Sequence, residues 1–341
     1  MITTKKSIGL KDIALKTGFS IKTVSRAINN HPDVNETTRQ KILSVAKECS
    51  YYPNLAAKSL RTKKAFTIGY IVPDITNEFY GKIGLVIEKE FRQHGYSLLI
   101  SFTEESEENE INSLKLLLAK RVDGIVLATV GTTGKFLKEV INRFHVPVVV
   151  IDNKEEGIES NLVLHDNING AYLLTKHLLD HGHERIGCIT GPLAETSARD
   201  RLEGYKKALK EYNREVVDRF IKVSNWRVDG GYDAAVKLMS YKDQGPTALF
   251  CSNSIMVLGV YKAFIKLNIK MPDDVALVAY DNLEFTEAID PPLTTLDKVE
   301  DEIGRITSSV LLEKIRNKDI ENVDEYYVKA RLCIRRSCGC N

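Results

Sequence analysis

The sequence predicts a small all-α head followed by a two-lobed, doubly wound α/β body built on parallel sheets. Three observations carry this. Basic charge concentrates in the first stretch of the chain, three short helical patterns lie there, and from Phe66 onward apolar runs alternate with amphipathic ones. Residues 1–64 hold 13 Lys/Arg against 4 Asp/Glu, and the remainder holds 35 against 42. A packed basic unit on a mildly acidic body predicts a polyanion partner for the head alone. A solvated basic tail would lack the helical periodicity that this head has.

In the head, Leu10, Ile13, Ala14 and Thr17 mark one face of a first helix. Gly18 tolerates the turn that follows, and Ser20 caps a second helix running from Ile21 to about Asn29. Asn35 caps a third, with Ile42, Val45, Ala46 and Cys49 at core spacing. Two short helices crossing about a tight turn predict a helix-turn-helix, whose second helix enters the major groove by its N-terminal end. Ser20, Ile21, Lys22, Ser25, Arg26 and Asn29 occupy that exposed end. Arg26 suits bidentate readout of guanine, worth about 1–3 kcal/mol per correct base. Ile21 can touch a thymine methyl. Ser20, Thr23, Asn35 and Thr38 suit phosphate contacts, although both uses of Ser and Thr, capping and clamping, favour helix N-termini.

In the body, FTIGYIV (66–72), YSLLIS (96–101), GIVLA (124–128), PVVVI (147–151), RIGCIT (185–190), TALFC (247–251) and VALVAY (275–280) read as buried strands. Helical patterns fall at 78–93, 107–119, 168–181, 197–212, 229–240 and 253–267. About 270 residues exceed one comfortable core, so two lobes are predicted. Ligands bind such sheets beyond the carboxyl ends of strands. There the sequence places Asp74 to Tyr80, Asp152-Asn153, Gly191 to Arg201, Asn225-Trp226, Ser252-Asn253 and Tyr280-Asp281. Aromatic faces among planar amides and charged groups suit a polyol.

The run LKDIALKTGFSIKTVSRAINNHPDVNETTRQKI, with its Thr23-Val24-Ser25-Arg26-Ala27-Ile28-Asn29 core, resembles the helix-turn-helix of the lactose-repressor/galactose-repressor (LacI/GalR) family. Tyr52-Pro53-Asn54-Leu55-Ala56-Ala57-Lys58-Ser59-Leu60 resembles that family's hinge, and the resemblance extends over essentially the whole chain. It implies a helix-turn-helix domain at 1–52, a hinge at 53–64, and an effector-binding and dimerisation domain at 65–341 of the periplasmic-binding-protein type I fold. One lobe would be about 66–161 plus 292–321 and the other about 163–290 plus 324–341. Ile21 and Lys22 fall where the family varies its base preference. In the hinge, Asn54 would cap a short helix that carries Ala57 and Lys58 along the minor groove, and Leu60 would wedge a central base step. In the cleft, Asn77, Phe79 and Tyr80 would lie over the ligand, Asp152 and Asn153 would bind hydroxyls, and Arg201 matches the family's effector arginine. Trp226 would stack, and Asn253 and Asp281 would act as amide and carboxylate ligands.

The resemblance implies a repressor that binds palindromic double-stranded operator DNA as a homodimer. A small sugar-like effector (sugar, sugar acid or sugar phosphate) between the lobes would set its affinity. Two departures, Asn253-Ser254 and Asp281-Asn282, replace carboxylates that many members carry, and lead to the expectation of an acidic ligand for Arg201. No leucine heptad tail of the kind that makes some relatives tetramers is apparent. A sugar receptor sharing the body but not the regulatory role is the alternative; the basic head and the uncharacteristic N-terminus weigh against it.

Other classes find little support. No apolar run approaches a membrane span, and the N-terminus lacks the apolar block of a secretory signal, so a cytoplasmic location is expected. Six scattered cysteines make no disulfide framework, and Cys188 and Cys251 read as small core residues within strands. No GxGxxG, Walker A or Ser/His/Asp arrangement is present, so no enzyme and no cofactor are expected. His177, His181 and His183 cluster at a helix end, but no Glu follows His177 as in a zincin, and Cys338-Gly339-Cys340 alone offers only two ligands. No metal is expected.

Overall fold

A computed structural model describes residues 8–52, 59, 62, 64–155, 157–297, 299–317 and 322–340. The chain divides into two compact units, 1–63 and 64–341.

In the first unit, α1 (Leu10–Thr17) ends at Gly18, whose φ of 75° is the left-handed conformation that glycine adopts without strain. Ser20 Oγ accepts the Thr23 amide at 3.1 Å and starts α2 (Ile21–Ile28). Asn35 Oδ1 accepts the Thr38 amide at 2.8 Å and starts α3 (Glu36–Glu48). The three helices close on Ile13, Ala14, Val24, Ala27, Val34, Ile42 and Ala46. Ile13, Val24 and Ile42 are wholly buried, each contributing about 1.5–3 kcal/mol.

The second unit begins with β1 (Thr67–Val72), α4 (Glu78–Gln93), β2 (Ser97–Phe102), α5 (Glu107–Ala119), β3 (Gly124–Ala128), α6 (Gly134–Phe144), β4 (Val148–Ile151) and β5 (Asn161–His165). It continues through α7 (Asn167–Asp180), β6 (Ile186–Thr190), α8 (Thr196–Glu211), β7 (Ile221–Val223), α9 (Val228–Met239), β8 (Ala248–Cys251), α10 (Ser254–Leu267), β9 (Ala276–Ala279) and α11 (Glu284–Ala288). It closes with β10 (Thr295–Leu296), α12 (Glu300–Arg316), β11 (Glu325–Val328), β12 (Leu332–Cys333) and a 3-10 turn, Arg336–Cys338. The strands form two parallel sheets. Lobe one has the order β11-β5-β4-β3-β1-β2, and lobe two the order β7-β6-β8-β9. β10 and β12 pair antiparallel.

Helices cover both sheet faces, so the inner strands are buried along their whole length, while β2 and β11 are partly exposed. β3, β4, β5, β6, β8 and β9 are buried at every residue, and Cys188 and Cys251 are core residues as anticipated. In lobe two, α9 and α10 pack closely because position 259 has no side chain. A Cβ on Gly259 would lie 1.9 Å from Val228 O.

The lobe limits differ from those expected. Asn161–His165 is a strand of lobe one, so the chain first leaves that lobe after His165 rather than at 161–163. The late strand Glu325–Val328 also belongs to lobe one, not lobe two, because it pairs with β5 from Glu325↔Leu162 to Val328↔His165. Asn161 Oδ1 fixes that register by accepting the Asp324 amide at 3.0 Å. Only the residues beyond Val328 return to lobe two. There Ser337 Oγ donates to Leu277 O of β9 and accepts the Thr294 amide.

Candidate functional site

The head presents one polar face. On α2, Ile21 and Lys22 are exposed, and Thr23, Ser25 and Arg26 are half-buried; Asn29 at its end is exposed. Ser20 and Asn35 already serve as caps, and Asn29 Nδ2 donates to Ser25 O at 2.7 Å. Ser20 Oγ and Thr23 Oγ1 lie 2.9 Å apart. Arg26 pairs with Asp33 at 3.4 Å, a solvent-exposed contact that a guanine edge can replace. Arg39, which the sequence did not single out, braces the loop before α3. It donates to Asn30 Oδ1, to His31 O at 2.9 Å and to Val34 O at 3.1 Å. Asn54, Ala57, Lys58 and Leu60 lie outside the described residues.

In the body, a cleft of about 690 Å³ opens beyond the carboxyl ends of the strands of both lobes. All nine residues anticipated for the effector line it: Asn77, Phe79, Tyr80, Asp152, Asn153, Arg201, Trp226, Asn253 and Asp281. Asn77 caps α4, accepting the Phe79 amide at 3.1 Å, and so aims Phe79 and Tyr80 inward. Tyr80 Oη donates to Asp152 Oδ2 at 2.8 Å. Asn153 links the lobes. Its Oδ1 accepts the Ser197 amide at 3.0 Å and its Nδ2 donates to Glu195 Oε2 at 3.2 Å.

Arg201, 6% exposed, comes from the second turn of α8. It donates from Nε to Asn167 Oδ1 at 2.8 Å and from Nη1 to Ser252 O at 2.5 Å, and stacks 3.7 Å from the centre of the Tyr280 ring. Trp226 stands after β7 in a left-handed conformation, φ 61°, and donates from Nε1 to Glu195 Oε1 at 2.9 Å. Its indole rests on Gly191, where a Cβ would fall 2.0 Å from the ring. Asp152 is also left-handed, φ 69°. Such strain persists only where surrounding structure enforces it, and it clusters at binding sites. Asn253 caps α10 and Asp281 Oδ2 accepts the Ser254 amide at 3.0 Å, so both combine a structural bond with a place on the cleft wall.

The cleft is acidic. Asp74, Glu104, Glu105, Asp152, Glu195 and Asp281 line it against Arg201 and Arg227. Burial raises the carboxyls of Asp152 and Asp281, and Arg201 partly offsets this. Burial, with Asp152 nearby, pushes Glu195 up to about 7 despite the bond from Trp226. Glu195 falls within the Gly191 to Arg201 stretch placed at the strand ends but was not singled out there; a carboxylate at the mouth of α8 has no motif to announce it. The two departures that suggested an acidic ligand reach the cleft only indirectly, through the bonds of Ser254 to Asp281. Neither Ser254 nor Asn282 lines it, and Asn282 Oδ1 is engaged by Thr286 and Arg335.

Residues 9–54 match the model of bacterial regulatory proteins of the lacI family, and residues 65–336 match that of periplasmic binding proteins and the sugar binding domain of the LacI family. The chain belongs to the LacI family. It is a family of DNA-binding transcriptional repressors rather than enzymes. The chain is 35% identical to the ribose operon repressor of Escherichia coli strain K12 over 92% of this chain and 94% of that one. It is 32% identical to the transcriptional repressor PurR of Vibrio vulnificus over 91% and 92%. Its fold matches a lac repressor dimer bound to operator and the anti-inducer ONPF, with a TM-score of 0.86 and 25% identity over 98% and 99% of the two chains. Within this LacI-family chain no described helix is long and apolar enough to cross a membrane.

Proposed function

We propose that this chain is a cytoplasmic homodimeric repressor whose operator affinity is set by a neutral, polyhydroxylated sugar bound between the lobes. One observation carries the reading. The buried cation Arg201 is held among half-buried acidic groups, Asp152 and Asp281, with Tyr80, Phe79 and Trp226 around it. Vicinal hydroxyls can donate to the carboxylates and accept from the guanidinium, while aromatic faces cover the C–H patches. An anion would instead meet six carboxylates. The similarity to a ribose operon repressor agrees with a pentose-sized ligand.

Each head reads one half-site, so two copies match a palindrome. Support for dimerisation comes from lobe one, where the edge strand β2 exposes Ile100, and Leu85 on α4 is 72% exposed. The test uses the full chain. Trp226 emission is titrated with neutral pentoses and hexoses, sugar acids, sugar phosphates and nucleobases, and the responding ligand is added to an operator-binding assay. A neutral sugar should saturate the emission change and shift operator affinity about 5–150-fold. A response only to anionic sugars or nucleobases overturns the neutral-sugar reading.

A further inference from the structure

Two motifs that offered too few ligands separately meet in the folded chain. His177 lies in the last turn of α7 and His181 is its C-cap; the 336–340 segment brings Cys338 and Cys340 against them. Cys340 Sγ lies 3.3 Å from His177 Nε2 and 3.0 Å from His181 Nε2, and 2.9 Å from Cys338 Sγ. The ligand atoms of His177, Cys338 and Cys340 all fall within 4.8 Å of one another. We propose that His177, His181, Cys338 and Cys340 form a tetrahedral zinc site that fastens the 336–340 segment to the end of α7.

The donor set is the first argument. Two sulfurs and two imidazole nitrogens are the Cys2His2 combination of closed structural zinc sites. Geometry is the second. Zn–S of about 2.3 Å and Zn–N of about 2.0 Å place tetrahedral S···S about 3.8 Å and S···N about 3.5 Å apart. The three separations at Cys340 need to open by less than about 1 Å, whereas His181, outside the group of His177, Cys338 and Cys340, must swing inward to complete the tetrahedron; Cys340 and His181 sit at the solvent edge where such movement is cheap.

The surrounding bonds are the third. His181 Nδ1 is 2.7 Å from His177 O, an acceptor that fixes its proton on Nδ1 and leaves the Nε2 lone pair facing Cys340. Thr294 Oγ1 lies 3.1 Å from Cys338 Sγ as an outer partner. His183 takes no part, because its Nδ1 is turned to Thr247 Oγ1 at 3.2 Å and its ring also bonds the backbone of Cys338. Binding one Zn2+ forms two Zn–S and two Zn–N bonds and releases two thiol protons to solvent.

The experiment adds Co2+, then Zn2+, to the full chain stripped of metal and kept reduced. The proposal expects one Co2+ per chain, thiolate-to-cobalt charge-transfer absorption with tetrahedral ligand-field bands, and displacement by Zn2+. Cys340→Ser and His181→Asn change exposed or half-exposed groups and spare the core. Each should weaken binding by more than the ~10–100-fold cost of losing an outer-shell partner. Folding of each variant is read from its unchanged Trp226 emission. Absence of the bands in the folded chain, or bands that persist in both variants, overturns the proposal. So does a Cys338–Cys340 disulfide that survives reduction, found by mass after thiol alkylation.

Discussion

Arg201 Nε donates to Asn167 Oδ1 at 2.8 Å, so the buried cation of the cleft is held by the first residue of α7, where the chain has just entered lobe two. A ligand bound at Arg201, as proposed, would thereby be tied mechanically to the crossing between lobes. Arg201→Met should abolish the ligand response of Trp226, since truncating one member of a buried charge cluster costs about 2–5 kcal/mol. Operator binding without ligand should remain. Asn167→Ala should weaken ligand about 10-fold and damp the operator response, measured as the ratio of operator affinities with and without ligand.

Glu195 gives the cleft a pH signature. Burial raises its carboxyl to about 7, and it holds the Trp226 indole N–H. Trp226 emission in the free chain should titrate near neutral pH, and Glu195→Gln should remove that step. The linkage sign is also defined. An acid raised in the folded state binds more protons there than unfolded, so its contribution to stability falls as pH rises from about 4.5 to about 7.

His165 acts in the opposite sense. Buried at the end of β5, against the edge of Tyr280, its ring nitrogens find no hydrogen-bond partner among the described residues. Burial first, then Arg201, lowers its pKa to about 3. The unfolded chain takes up this proton near pH 6.5 and the folded chain does not, so stability falls as pH drops from about 6.5 towards 3. His165→Leu should flatten that acid limb in urea melts across the same window.

Gly191→Ala tests the seat of Trp226. The added methyl would overlap the indole, at 2.0 Å from it. Overpacking of this kind costs about 1–3 kcal/mol. The indole should leave Glu195, red-shifting emission and weakening the ligand response, while the head continues to bind DNA.

In the head, Arg26→Ala should lower affinity for the preferred operator by about 1–3 kcal/mol and relax sequence choice, with little effect on random duplex. Arg39→Ala should act otherwise. It removes three bonds to the loop of residues 30–34 and should lower the thermal stability of the head. A competition assay with matched and mismatched duplexes separates the two.

Much of the architecture was legible because it rests on local rules. GIVLA (124–128) is β3 without adjustment, and helices 78–93 and 107–119 lie where the apolar spacing placed them. Strands that carry polar residues were harder. Asn161–His165 has Asn at one end and His at the other, and Glu325–Val328 is a half-exposed edge, so neither forms a clean apolar run. Their assignment to lobe one depends on a pairing between residues more than 160 positions apart, which no local window contains.

The cleft residues converged because strand ends were recognisable and the family resemblance singled out positions there. What the sequence could not convey was the balance of charge. Ser254 and Asn282 stand where many members carry carboxylates, yet their side chains point into structural bonds, while Glu195 enters from the start of α8. The meeting of His177 with Cys338 and Cys340 was hidden for the same reason as the β5–β11 pair: distance along the chain.

The threading of the chain has a consequence for its synthesis. The core of the head closes within residues 13–46. Lobe one waits for β11, and lobe two waits for Ser337 to reach Leu277. Domains fold in order as a ribosome delivers them, so a DNA-reading unit exists long before either half of the sensor is complete. A message broken anywhere between these points yields a folded head that carries no means of being switched.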